Sequence, residues 1–238
     1  MVLLCKFESM ISSETLDIIL LTLRIAGLAL LIGLPLAVFV GYSLARWDFP
    51  GKTLISALVH VPLVLPPVAT GYALLILFGK TGPVGSFLHE TLGLTLAFQW
   101  TGAALAAAIM AFPLMVRPIR LSFEAVDRRL GPAAETLGAG RFTVFRTITL
   151  PLAFPGILAA GILGFAKAMG EFGATITFVS NIPGETRTIA LAIHTLTQTP
   201  NGDQAALVLA GISLTISIVA IAVSEIVAKR VDTKARAF

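Results

Sequence analysis

Lys167 and Glu171 stand four residues apart in a stretch otherwise free of charge, so on a continuing helix they share one face and can form an ion pair. Ionisable groups among apolar neighbours are costly, and they mark either a functional path or a pair that fixes helix packing. Both readings stand for this pair. Downstream, Thr175, Thr177, Ser180 and Asn181 supply neutral hydrogen-bonding groups; such weak groups suit a path that must release what enters it. Pro66-Pro67 interrupts another apolar run, and the carbonyls a proline frees need partners from neighbouring helices or water. Arg24 lies about two turns inside an apolar segment and can snorkel toward headgroups. His60, His89 and His194 have no partners at ligand spacing, so no metal site is expected.

Catalytic motifs are missing from the same sequence. There is no Gly-x-Ser-x-Gly elbow, and His89-Glu90 is followed by Thr91-Leu92-Gly93 rather than by a second histidine. Gly51-Lys52-Thr53 and Gly79-Lys80-Thr81 resemble the end of a phosphate-binding loop, yet Arg46 and Leu74 stand where its first glycine belongs. No catalytic residue is expected in this chain, and the chain is not expected to be an enzyme.

The elements that position these residues follow from composition. The chain has 238 residues, 56% hydrophobic and 13% charged, with a mean hydropathy of +0.92, which excludes a water-soluble globule. The single cysteine, Cys5, excludes an intramolecular disulfide framework. A bilayer core of about 30 Å takes about 20 mostly apolar helical residues. Five segments qualify: 16–44, 54–78, 94–116, 148–166 continuing toward 180, and 205–223. The expected fold is an all-α integral membrane domain of five spans over residues 1–238. Segment 16–44 is too long for a signal-peptide core, and no small-residue cleavage site follows it, so a permanent anchor is expected.

Basic residues set the orientation. With the N-terminus outside, the cytoplasmic segments hold Arg46, Lys52, Arg117, Arg120, Arg128, Arg129, Arg141, Arg146, Lys229, Arg230, Lys234 and Arg236, against Lys6, Lys80 and Arg187 outside. That bias predicts N-terminus out and C-terminus in, and it assigns the net charge of +4 to a membrane surface rather than to nucleic acid.

The connection within 124–147 is too polar to span and too long for a turn. Gly131-Pro132-Ala133-Ala134-Glu135-Thr136-Leu137 predicts a short helix opening at Pro132, with Gly138 and Gly140 as stops. Phe142, Phe145 and Ile148 continue at helical spacing between Arg141 and Arg146, toward Pro151. A short helix beneath the spans can be gripped by a partner or can lie on anionic headgroups.

Ala133-Ala134, Gly138 and Ile148-x-Leu150-Pro151 resemble the EAA motif of ATP-binding-cassette importer permeases; Pro132 stands where that family usually has Glu. Arg46-Trp47-Asp48-Phe49-Pro50-Gly51-Lys52, His60-Val61-Pro62-Leu63-Val64-Leu65-Pro66-Pro67 and the run from Gly170-Glu171-Phe172-Gly173 through Asn181-Ile182-Pro183-Gly184 to Thr188 resemble the molybdate importer permeases. Sulfate permeases share the Glu-Phe-Gly and Asn-Ile-Pro elements more loosely. The resemblance implies a type I importer core and a homodimer of permeases in a bacterial inner membrane. It implies two cytoplasmic ATPase subunits that carry the ATP and Mg²⁺, and an extracytoplasmic receptor that delivers molybdate or tungstate. It also implies that Pro132, Ala133, Ala134, Glu135, Gly138, Ile148, Leu150 and Pro151 couple to the ATPase. Lys167 could then offset the charge of an oxyanion, although Glu171 would repel it. A sulfate-type importer is the alternative cargo. An ATP-independent channel or secondary transporter is the alternative of another class; it would leave the short helix unexplained and would usually carry an internal repeat, which is not found.

Overall fold

The structure, a computed structural model, describes residues 13–235; Cys5, Lys6 and Arg236, used above, lie outside the described residues. Every regular element among them is helical: α1 (Ser13–Arg46), α2 (Lys52–Val64), α3 (Pro67–Phe78), α4 (Pro83–Leu92), α5 (Trp100–Ala125), α6 (Leu130–Thr136), α7 (Arg141–Val144), α8 (Leu150–Met169), α9 (Gly173–Val179), α10 (Ile189–Thr197) and α11 (Asp203–Ala235). A π-helical turn, Phe145–Thr149, joins α7 to α8. Four helical rods are long and apolar enough to cross a membrane: α1, α5, the rod Arg141–Met169 and α11. The α2–α3 pair supplies a fifth span if its two halves are counted as one.

Small residues bring the rods together. α1, α5 and α8 form the centre, with Ala26, Ala29, Ala37, Ala103, Ala106 and Ala160 buried at their contacts. Helices in lipid gain little from burying apolar surface, so close backbone approach through Ala and Gly is what holds them. Met115 of α5 fills notches on both sides. A Cβ on Gly33 of α1 would come 2.8 Å from its Cε, and one on Gly164 of α8 would come 2.6 Å from its Cγ. Large side chains such as Leu31, Phe39, Leu214 and Val219 point outward, as lipid-facing surfaces do.

Two expected spans take another form. Segment 54–78 is not one straight helix, because α2 and α3 meet at 113°. Leu65 is extended, at φ −69° and ψ 144°, as the residue before a proline prefers, and Pro66-Pro67 withholds two amide donors in succession. Likewise, the fourth span does not continue toward 180. It stops at Met169, and α9 starts afresh at Gly173.

Other boundaries shift for local reasons. The third span begins at Trp100 instead of Leu94, behind Phe98 with φ 60°, and runs on to Ala125. The π turn is where Pro151 meets the preceding rod. Proline cannot donate to the carbonyl four residues back and clashes with it; the wider turn, in which the Leu150 amide donates to Phe145 O, relieves that crowding.

α3 lies along α9, with Gly71 at the crossing. A Cβ at Gly71 would overlap the Ala174 carbonyl oxygen and come 2.9 Å from the Ala174 Cα and the Thr177 Cβ. Backbone cannot yield as a side-chain tip can, so Gly71→Leu is expected to separate α3 from α9. The cost is about 3 kcal/mol or more, above the usual range for overpacking. Proteolysis of membrane-inserted protein, with cleavage near residues 65–72 rising in the variant, is the check.

Candidate functional site

At the end of the molecule where α1 and α5 finish, guanidinium groups fasten the chain. Arg46 Nη2 donates to Val126 O at 2.8 Å and Arg128 Nη2 donates to Ala45 O at 3.2 Å, so each arm grips the other's backbone. Arg120 pairs with Glu124 at 2.7 Å. The Arg129 amide then donates to the Asp127 carboxylate at 2.9 Å, a local bond of the kind that starts turns.

From this turn rises α6, the expected short helix. It opens at Leu130, two residues before Pro132; the Asp127 turn precedes proline, whose missing donor belongs to an unpaired first turn in any case. Its end is defined by Gly138 at φ +88°. The Ala139 amide reaches Ala134 O at 3.1 Å and the Gly138 amide reaches Glu135 O at 3.0 Å, which is the Schellman arrangement.

Pro132, Ala133 and Glu135 are exposed and Ala134 is half-buried; Glu135 lies 3.7 Å from Arg141 Nε. Ile148 and Leu150 are half-buried at the root of α8, and Pro151 is exposed. Two residues whose exposure was not expected from sequence dominate the outer surface of this segment. Leu137 is 89% exposed and Phe142 76% exposed, a pair of apolar side chains beside basic groups. Helical spacing placed Phe142 in line with Phe145 and Ile148, but such periodicity points to a buried face and not to an exposed one.

The polar residues of 167–181 gather at the far end of α8. Lys167 lies roughly 25 Å from Leu150 along the helix, at about 1.5 Å per residue. Lys167 Nζ meets Glu171 Oε2 at 2.6 Å, with side-chain exposures of 30% and 1%. The pair forms, but not on a continuing helix: Glu171 lies past the end of α8, and its Oε1 accepts the Ala174 amide at 2.9 Å. One carboxylate thus holds the lysine with one oxygen and the first turn of α9 with the other. An acidic group there also favours the helix dipole.

Thr175 is buried, and Thr177 donates back to Gly173 O at 3.0 Å. Pro67 stands beside these residues, since a Cβ on Gly173 would come 2.6 Å from the Pro67 Cβ. Pro66 caps α3 at the same place. The geometry therefore brings Pro66, Pro67, Lys167, Glu171, Thr175 and Thr177 to one junction of α3, α8 and α9.

Ser180 and Asn181 serve another structure, the loop to α10. Ser180 has φ 65°, a region that favours glycine, and its carbonyl accepts from Thr186 Oγ1 at 3.2 Å. Asn181 Nδ2 donates to Thr195 Oγ1 at 2.6 Å and its Oδ1 accepts from Arg187 Nε at 3.2 Å. Arg187 in turn pairs with Glu14 of α1 at 3.3 Å. Nearby, Thr22 Oγ1 accepts the buried Ile189 amide at 2.9 Å.

The Arg24 guanidinium lies over the Trp100 ring, 3.8 Å from its centre, a cation–π contact that spacing in sequence could not indicate. His60 Nδ1 is bonded to Ser56 O at 2.7 Å, and the His194 ring lies 4.7 Å from Phe172. Among the described residues, no group of three or more His, Cys, Asp or Glu side chains is gathered as a metal site would require.

Residues 33–233 match the family described as binding-protein-dependent transport system inner membrane component. The chain is 54% identical over 211 residues to the molybdenum transport system permease protein ModB of Escherichia coli K12, covering 89% of this chain and 92% of that one. It is 50% identical over 214 residues to the protein of that name from Haemophilus influenzae, covering 90% and 93%. Among solved structures, it resembles a chain of a bacterial alginate ABC transporter in complex with an alginate-pentasaccharide-bound periplasmic protein. There the TM-score is 0.74 at 17% identity, covering 93% of this chain and 80% of that one.

Proposed function

Because the chain belongs to the family of binding-protein-dependent transport system inner membrane components, we propose that it is the membrane permease subunit of an ATP-driven importer of molybdate. The observation that carries this is the identity of more than half the aligned residues to a molybdenum permease along most of both chains. The fold agrees: every regular element among the described residues is helical, with four or five candidate spans, and the chain is a multi-pass inner-membrane protein.

In this reading two copies surround a path, and two ATPase subunits bind beneath them. ATP and Mg²⁺ are held by those partners, and this chain performs no hydrolysis. Each copy presents α6 to a groove on an ATPase, with Pro132, Ala133, Ala134 and Glu135 on the helix, Gly138 at its stop, and Leu137 and Phe142 as apolar contacts. Ile148, Leu150 and Pro151 join that surface to α8. Closure of the ATPases on nucleotide moves α6 and tilts the spans, so that the path opens alternately to an extracytoplasmic receptor and to the cytoplasm.

The N-terminus lies outside and the C-terminus inside. Arg46 and Arg128, which bond each other's segments, and Arg120, which bonds Ser56, gather at one end of the molecule and support that orientation under the rule that basic residues stay cytoplasmic. Around the junction of α3, α8 and α9, neutral hydroxyls and backbone groups give an oxyanion weak holds, and weak holds permit release. Lys167 is neutralised by Glu171, so the junction does not become a trap for anions.

The test is cellular molybdenum, measured by mass spectrometry in a deletion strain starved of molybdate, with a complemented strain and a sulfate-uptake control alongside. A molybdenum deficit relieved by the intact gene is expected. Unchanged molybdenum in a strain with no second importer would sink the cargo assignment, and a sulfate deficit would move the cargo to sulfate.

A further inference from the structure

Tyr42 stands where three parts of the chain meet. Its ring packs edge-on against Phe123 of α5 and against Phe145 of the π turn, each at 5.1 Å between ring centres, and against Trp47 at 6.1 Å. Trp47 meets Phe39, about two turns back along α1, at 6.1 Å. Phe123 is fully buried, and Tyr42 and Phe145 lie against the cluster that holds Leu44, Ile119 and Ala153. Five aromatic rings thus run from the exposed Phe39 and Trp47 through Tyr42 to Phe145, at the start of the α8 rod, and to Phe123 in the centre of the bundle.

The position of Phe145 makes this arrangement mechanical. The principal neighbours of α6 are α7 and the π turn, and Gly131 of α6 faces Val144, the buried residue just before Phe145. A displacement of α6 therefore enters the bundle at the Phe145 ring. Close-packed rings at edge-to-face distances transmit displacement because they cannot be compressed. Arg46 and Arg128 tie the other side of the segment to α1, so the Tyr42 ring and these two arms form the two flanks of one lever. Among the described residues, no group hydrogen-bonds the Tyr42 hydroxyl, which leaves the ring as the part that matters.

We propose that Tyr42 is a positioning residue that conveys movement of α6 to α1 and α5 by holding Phe145 against Phe123. The proposal rests on the importer reading above. It is tested in proteoliposomes holding the complete complex with its ATPase subunits, with receptor-delivered molybdate uptake and ATP hydrolysis measured together.

Tyr42→Phe keeps the ring, and wild-type uptake per ATP is expected. Tyr42→Leu is expected to assemble and to hydrolyse ATP at the basal rate, while uptake per ATP falls by about tenfold. A merely structural role would lower the yield of complex and leave that ratio unchanged. If Tyr42→Leu does not assemble, Tyr42→Met, which fills similar length without a ring, takes its place. Wild-type uptake per ATP in either assembled ringless variant overturns the proposal, as does an equal loss in Tyr42→Phe. Failure of the wild-type complex to take up molybdate would instead strike at the importer reading, and the two failures are distinguishable.

Discussion

Gly138→Pro is expected to abolish receptor-stimulated ATP hydrolysis in a complex whose permease still inserts. The glycine sits at φ +88°, while proline is held near −65° and has no amide to give Glu135 O. The whole Schellman closure of α6 would open, at about 3 kcal/mol or more, and a helix of seven residues has too little packing to absorb that loss. Nothing within 4 Å opposes a side chain at this position, so steric crowding is excluded as the cause and backbone conformation alone sets the order of effects. Asn tolerates the left-handed region and should be nearly neutral, and Ala should cost about 1–2 kcal/mol. Stimulated hydrolysis should therefore fall in the order Gly, Asn, Ala, Pro. A proline variant with normal stimulation would remove α6 from the coupling role.

Lys167→Met should destabilise the protein more than Lys167→Met combined with Glu171→Leu. The single change leaves a carboxylate, 1% exposed, with only the Ala174 amide as partner among the contacts described above. Stranding one member of a buried pair costs about 3–5 kcal/mol. The double change removes the charge but also the acceptor at the start of α9, a loss of about 1 kcal/mol as for other helix caps. Thermal unfolding of the detergent-solubilised complex reads the difference. A double variant as unstable as the single one would mean that the capping bond, rather than charge balance, is what Glu171 contributes. A double variant that is stable yet inactive in uptake would place the pair on the transport path.

Legibility from sequence followed the range of the interactions. Gly138 was readable as a stop because a helix end is decided by one residue's backbone freedom and two local bonds. Pro66-Pro67 was readable as an interruption, but the 113° between α2 and α3 places Gly71 against Ala174, about 100 residues further along the chain, which local sequence does not indicate. The break after Met169 carries no proline; the bond that the Ala174 amide donates to the Glu171 carboxylate favours a fresh helix start there, while apolar patterning runs on across the gap. Lys167 and Glu171 were expected to pair, and they do, because four residues place two long side chains within reach whether or not the helix continues. Trp100 under Arg24 and Phe145 against Tyr42 depend on contacts between distant segments, which no single-sequence pattern encodes. The exposure of Leu137 and Phe142 went unread for a related reason: the spacing that put Phe142 in line with Phe145 and Ile148 implies a buried face, and nothing local marks the exception.

The break between α2 and α3 has a further consequence, for the order of assembly during synthesis. α3 has 12 residues, roughly 18 Å of helix, too short to cross a hydrocarbon core of about 30 Å by itself. Its groove partner α9 leaves the ribosome only about 100 residues later, which at ~5–20 residues per second is roughly 5–20 s. Through that interval α3 has only α4 and the flank of α5 beside it. Its main partner is still to come, so its final seating is expected to be a late event, although its residues are made early. Any change that weakens the Gly71 crossing will be felt first as a chain caught during biogenesis, before it is felt as a transporter that fails to move.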